Sequence, residues 1–600
     1  LFLVATGLVG RLFHAFDAGL VASAVAGVAL FIASRRLPDT RTAPPLDRST
    51  RISLVLALAA VGLMYGILTF RYQMHDEHSL FGHKSMLEEL RHGEYPVYPP
   101  PFPRQEARYH YGFDVLSGAL ARGFDASADL AIDLVTMFLV LLLSWIAAAL
   151  AIDLSAERSA PFAAIAVHLG AGLAAFMLAG TVGRHPRCLI QYHHPTCGID
   201  LFPTQLLNVF QHPVAIGVPL FFAIVLIAPR IIEDTAPRIR VVLGGIAIVL
   251  LGALALSQFV YYALVSLGIC AVLPLWILKR RAWTLKGIVV PIVCTAAVVA
   301  LAFGLAHLLG GMLAPNDTID PHLVMRRPIW GFPEKTPLVG ILRHHAANLG
   351  VPFLMIPVFG VVALKGNKPA IPLLLAFAIG GILVAQLWTY LRSWDIVKFP
   401  IAASFALTML YAVTIDRWLI VRPFPWMWLL RGMRALVLGT GALAALYLLF
   451  PLAPAIRPYE LGNFGVDPNV QRCIDWLWDH GYKKEDMVYA QANIAQELAV
   501  FGGLSVIGQD ADLAYLGIKQ DIFYGQMKDA LDLKVTMSPN VIEKVGVKWI
   551  LLSEEELANL GQPAREALDS ERFEQVATFE ADTLRHRRKI WRVRQLDAEL

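Results

Sequence analysis

Asp76 and Glu77 are adjacent carboxylates flanked by His75 and His78, and they follow directly on an apolar run from 52 to 70. That placement holds acids at a membrane surface rather than free in water, where partial desolvation lifts a carboxyl pKa toward neutrality. Such a group can act as general base toward a hydroxyl, or hold a divalent ion, Mg or Mn, that neutralises a phosphate. The plainer alternative is an interfacial acid pair that caps a helix or meets a nearby cation such as Lys84.

Phosphate asks for fixed positive charge, and arginine supplies it in bidentate form. Candidates are Arg326 and Arg327 in MRRPIWGFPEK, His344 and His345 in ILRHHAANLG, and Arg392, Asp395 and Lys398 in YLRSWDIVKFP. The last group is compressed into a short turn between two apolar runs, where charged residues are either functional or paired. A further loop, GRHPRCLIQYHHPTCGIDLFPTQLLNVFQHP, carries Cys188, Cys197 and several histidines. Zinc ligation is one reading of it, but a Cys188–Cys197 disulfide suits an oxidising compartment better, and no metal ligand is assigned there. The FQHP at 210–213 reads as a helix start, with Pro213 early in the next span.

These residues need a frame, and composition says which. With 56% hydrophobic and 16% charged residues in 600, the chain is too apolar for a soluble globular protein. Apolar runs near 1–15, 17–34, 52–70, 129–152, 161–182, 213–229, 240–256, 258–278, 287–310, 351–364, 370–391, 399–415 and 435–454 give about thirteen spans. Counting them places five arginine- and lysine-rich connectors on one side, which the positive-inside rule makes cytoplasmic. The candidate residues then all face away from the cytoplasm. The five cysteines form no CxxC pair, and nothing in the charge pattern points to nucleic acid.

The expected architecture is a polytopic α-helical membrane domain over 1–454, with a first extracytoplasmic loop over 71–128, followed by a small extracytoplasmic α/β domain over 455–600. Within the loop, Leu80, Phe81, Met86, Leu87 and Leu90 recur at helical spacing, as for a short helix lying in the membrane interface. A proline run from Tyr95 to Pro103 stiffens the return. In the tail, NVQRCIDWLWDHG, NIAQELAVFGG and NVIEKVG read as helices, and DMVYA, LSVIG and VKWILLS as strands. RHRRK at 585–589 reads as one solvated edge of a strand.

With MHDEH at 74–78, YHYGFD at 109–114 and this layout, the chain resembles the GT-C superfamily of membrane glycosyltransferases. The resemblance implies a sugar donor linked to polyprenyl phosphate, used on the extracytoplasmic face of the cell inner membrane. It also implies Asp76 or Glu77 as the base of an inverting transfer. His75, His78, Lys84, Arg326, Arg327, Arg392, Asp395 and Lys398 are then the substrate-binding candidates. Expected partners are membrane lipid, the lipid-linked donor, a glycan, lipid or protein acceptor, and further membrane subunits. A non-catalytic scaffold built on the same frame is the alternative. A transporter fits less well, because the polar motifs gather in loops rather than at mid-membrane.

Overall fold

The computed structural model describes residues 1–34, 46–71, 83–154, 156–170, 172–173, 176, 204–210, 212–233, 237–280, 285–314, 323–325, 338–390, 398–421, 426–449, 466–507 and 520–594. Among them, ten helices of 18 to 28 residues are long and apolar enough to cross a membrane. At 1.5 Å per residue they reach roughly 27–42 Å, against a hydrocarbon core of about 30 Å.

The difference from thirteen comes from the first two runs and the run 161–182, while a fourth run is longer than expected. The first two runs form α1 (Phe2–Phe13) and α2 (Phe16–Ser34), a hairpin turned at His14, which adopts φ 48°. The 12 residues of α1 extend only about 18 Å, too short to span. The run 161–182 is described chiefly as the helix Ala160–Leu169. The run 351–364 continues a helix that starts at Leu338, making one span, Leu338–Lys365, kinked at Gly350.

Two helices lead into and out of the first loop. α3 (Arg48–Gly66) begins on Asp47, whose side chain accepts from the Thr50 amide, and ends in a π-helical turn, Ile67–Arg71. α4 (His83–Arg91) and α5 (Gly112–Phe124) follow, and α6 (Ala128–Asp153) returns across the bundle from its Ser127 cap. α7 (His212–Glu233) starts on the same face as α4 and α5, with Pro213 in its first turn, where a missing amide hydrogen costs nothing.

α8 (Lys398–Val421) is the hub. Every residue of its Lys398–Ile415 stretch is buried within the protein, whereas only 22% of Ile292–Leu309 is. A helix apolar all round must be covered on all sides, so α8 fixes the bundle's centre and its first residue marks the central mouth. Lipid contact is left to outer side chains such as Val55, Leu63, Phe138, Trp145 and Leu301, all exposed.

The far end of the bundle gathers the basic connectors. Arg230 pairs with Asp153 at 2.7 Å, Lys368 donates to the Asp153 carbonyl at 2.9 Å, Lys279 donates to the Leu364 carbonyl, and Arg434 donates to Ser159 at 3.3 Å. The first-loop helices and the tail lie together at the opposite end. There a two-stranded antiparallel ribbon, β1 (Leu323–Met325) with β2 (Trp388–Tyr390), joins two segments far apart in sequence.

The tail is a three-layer α/β unit. Its sheet has the order β4-β3-β5-β7-β6, from β3 (Met487–Tyr489), β4 (Val506–Ile507), β5 (Val547–Ser553), β6 (Phe573–Phe579) and β7 (Arg588–Val593). β3, β4 and β5 run parallel, while β7 pairs antiparallel with both β5 and β6. Period-two alternation sends Trp549 and Leu551 to one face, beneath α9 (Pro468–Asp479) and α10 (Ala492–Gly502). It sends Ile550 and Leu552 to the other, beneath α11 (Gln520–Thr536).

β7 corrects one expectation. RHRRK was expected at a solvated edge, yet its last two residues open an interior strand, and Arg588 is 3% exposed. Charge is tolerated there because partners arrive from distant segments: Asp467 for Arg588 at 3.4 Å, and Glu554 for Lys589 at 3.2 Å.

Candidate functional site

α4 forms as its apolar spacing requires, with Met86, Leu87 and Leu90 fully buried. It does not lie with a polar face open, however: every side chain from His83 to Leu90 is buried. The tail supplies the missing cover. Lys484 reaches Glu89 at 2.6 Å and donates to the Gly503 carbonyl at 2.9 Å, with both charged groups almost fully enclosed. His92 stacks on Trp478 at 3.9 Å, and the Lys84 ammonium sits 4.2 Å over the Phe501 ring. The proline return joins the same contact, since the Val506 amide donates to the Pro100 carbonyl and Gln526 donates to the Pro101 carbonyl.

At its N-terminal end α4 opens a buried polar patch on the bundle's mouth. The His83 Nδ1 lies 3.0 Å from both carboxylate oxygens of Asp114, in the first turn of α5. His212, at the start of α7, sets its ring edge-on to His83 at 4.7 Å and stacks on Phe113 at 4.2 Å. The patch continues through Tyr109, 5.8 Å from His83 and stacked on His110 at 4.1 Å. It ends at Lys398 on the hub, whose Nζ approaches His110 Nε2 to 2.6 Å and lies 5.7 Å over the Tyr109 ring. Burial pushes the Asp114 carboxyl above the usual carboxylate range, and the imidazole of His83 beside it pulls the other way.

His83, Asp114 and His212 each present one ligand atom within 4.8 Å of the other two. Two imidazoles and one carboxylate fit a transition-type divalent ion such as zinc or manganese; magnesium, which prefers oxygen throughout, fits poorly.

Of the residues expected from sequence, Lys84 and Lys398 fall within this region. Lys84 is paired with Asp129 at 2.9 Å, at the head of α6. His75, Asp76, Glu77, His78, Cys188, Cys197, Arg326, Arg327, Arg392 and Asp395 lie outside the described residues. The segment with Asp76 and Glu77 is bounded by Arg71, at the end of α3's π-turn, and by His83. His83, His110, Asp114 and His212 were not assigned roles from sequence. Two signals were present: YHYGFD contains His110 and Asp114, and FQHP contains His212, there taken only as a helix start.

No protein-family model and no curated protein matches the chain. Among solved structures it is similar to the apo oligosaccharyltransferase of Archaeoglobus fulgidus, at 13% identity and TM-score 0.49, covering 85% of this chain and 71% of that one. It is also similar to ArnT from Cupriavidus metallidurans bound to undecaprenyl phosphate, at 13% identity and TM-score 0.45, covering 90% and 97%. A third is the arabinofuranosyltransferase AftD from Mycobacteria, at 15% identity and TM-score 0.46, covering 90% of this chain and 40% of that one.

Proposed function

We propose that the chain is an integral membrane glycosyltransferase that moves a sugar from a polyprenyl-phosphate-linked donor to an acceptor hydroxyl on the extracytoplasmic face. The observation that supports it is the buried polar patch at the mouth: a lysine opening the central helix, joined through His110 and Tyr109 to the His83, Asp114 and His212 group. Enclosing so many ionisable groups at one point is costly unless they are paired, and clusters of this kind concentrate at functional sites.

In this reading the acceptor oxygen attacks the anomeric carbon and the bond from that carbon to the phosphate oxygen breaks, inverting the centre. Asp76 or Glu77 takes the hydroxyl proton, and the polyprenyl phosphate leaves with the bonding pair. Lys398, with Arg392 and the Arg326–Arg327 pair, holds the phosphate, and His75 and His78 flank the base. Asp395 orients the cations of its own turn. Lys84, paired with Asp129, fixes the start of α4. A divalent ion held by His83, Asp114 and His212 would supply further neutralisation of phosphate charge. The tail and first loop are assigned to the extracytoplasmic side of the inner membrane, since the basic connectors gather at the other end.

Donor retention tests the assignment of the mouth. Purified protein in lipid nanodiscs should bind a radiolabelled polyprenyl-phosphate sugar, and Lys398→Met should weaken that binding at least about tenfold, one lost charge-assisted contact of 1.5–3 kcal/mol. Retention by Lys398→Met equal to the parent's would remove the mouth from the reading.

A further inference from the structure

A cavity lies beside α4, away from the buried patch at the mouth. It is a cleft of ≈ 220 Å³ between the first-loop helices and the tail, lined by Glu88, Arg91 and Arg122 on one wall and by Gln471, Asp475 and Phe501 on the other. We propose that this cleft binds a neutral sugar residue, and that it is the subsite for a non-reacting sugar of a glycan acceptor. The acceptor assignment rests on the glycosyltransferase reading; the sugar-binding assignment rests on the cleft alone.

Charge compensation selects the ligand class. Arg91 faces Glu88 at 3.4 Å and Asp125 at 3.7 Å, and Arg122 grips Asp17 through two hydrogen bonds, of 3.0 and 2.8 Å. Each guanidinium already faces carboxylates, which weakens its pull on an anion such as phosphate. The wall still offers carboxylate acceptors, guanidinium donors and the Gln471 amide, which donates to Asp475 at 2.9 Å. Hydroxyl groups both donate and accept, so a polyol matches such a mixed surface of carboxylates, guanidinium groups and an amide. Phe501 and Ile474 add an apolar wall for the C–H face of a pyranose.

Size and rigidity agree. The cleft is smaller than the roughly 300–1,000 Å³ of pockets for drug-sized ligands, which suits one sugar ring. Its walls are fixed in advance by the Lys484–Glu89 pair and by the stacking of His92 on Trp478, so little ordering is left to offset on binding.

Position gives the link to the mouth. α4 carries both sites, with His83 at its start and Glu88 and Arg91 five and eight residues on. At 1.5 Å per residue that separates them by about 7–12 Å, the span of one or two sugar units. The acceptor role requires a glycan seated in the cleft to cover that distance to the mouth.

The test is saturation-transfer NMR on full-length protein in nanodiscs free of glycoside detergent. The probes are the methyl glycosides of mannose, galactose, glucose and arabinose, with inorganic phosphate as the anion. Saturable binding of at least one glycoside is expected at millimolar concentration, weakened at least about tenfold by Asp475→Ala and by Gln471→Ala and unchanged by Asp569→Ala on the far side of the tail. Binding of no glycoside at tens of millimolar, binding of phosphate alone, or binding indifferent to Asp475 and Gln471 would overturn the proposal. The labelled-donor assay on the same nanodiscs separates the two readings. Donor retained without glycoside binding removes the cleft and keeps the transferase; glycoside bound without donor removes the acceptor role and leaves a sugar site.

Discussion

At the residue scale, what organises the mouth is enclosure. His83, Asp114 and His212 are each no more than 4% exposed, and Lys398 is 7% exposed. The N₂O donor set is the sharpest chemical statement these side chains make. Purified protein should retain close to one equivalent of zinc or manganese by plasma mass spectrometry, and His83→Ala or His212→Ala should lose it. Stoichiometric magnesium, or metal retention unchanged in both variants, would show that the three side chains form a hydrogen-bonded core and no more. The sequence reading put its first-loop candidates on His75, Asp76, Glu77, His78 and Lys84, and of these only Lys84 is among the described residues. It could not show that His212, 129 residues beyond His83, closes on the same point, because that convergence is made by α7 packing beside α5.

At the element scale, α4 couples the membrane bundle to the tail. Its helical spacing was legible from Met86, Leu87 and Leu90, while its full burial was not, since the covering groups are Lys484, Gly503 and Phe501, some 400 residues away. Burial pushes the Glu89 carboxyl up to about 7 even beside Lys484, so without the cation it takes up a proton, and what is lost is a charge-assisted hydrogen bond of roughly 1.5–3 kcal/mol. Lys484→Met should therefore expose the junction after the last span to limited proteolysis, and adding Glu89→Gln should restore part of the protection. Gly503 is a second probe. It sits at φ +61°, and a Cβ there would come within 2.7 Å of the Glu89 amide nitrogen and 3.0 Å of the Glu88 carbonyl carbon, so Gly503→Ala should also loosen the joint. Proteolysis rates equal to the parent's in both variants would mean the tail is held elsewhere.

Glu88 gives the same element a pH dependence. Burial is the largest influence and pushes its carboxyl up to about 7, against the pull of Arg91 and Lys84 and with Asp129 adding to the rise. A carboxyl raised in the folded state contributes stability that is complete below its unfolded value, near 4.5, and that is lost as pH climbs through about 7. Thermal stability of the parent should thus fall between pH 5 and pH 8, and Glu88→Gln should flatten that fall; parallel curves for the two would refute the assignment.

At the scale of the whole molecule, the division into an apolar bundle and an α/β tail was readable from composition and periodicity, because lipid and a two-faced sheet impose different patterns. Of the three expected runs that do not appear among the ten spans, α1 is too short, while the side chains of α2 and the run 161–182 are described over only part of their length. β7 was misread because the partners that allow Arg588 to be buried lie far off in sequence, Asp467 being 121 residues away.

The account as a whole stands on sugar transfer. The direct measurement is transfer of labelled sugar from a panel of polyprenyl-phosphate donors to glycan, lipid and peptide acceptors, with the parent beside Asp76→Asn and Glu77→Gln. Transfer by the parent should fall in one of the two variants by about 10²-fold or more, the usual contribution of a general base. Transfer that persists unchanged in both variants, or a parent that consumes no donor it binds, would contradict it.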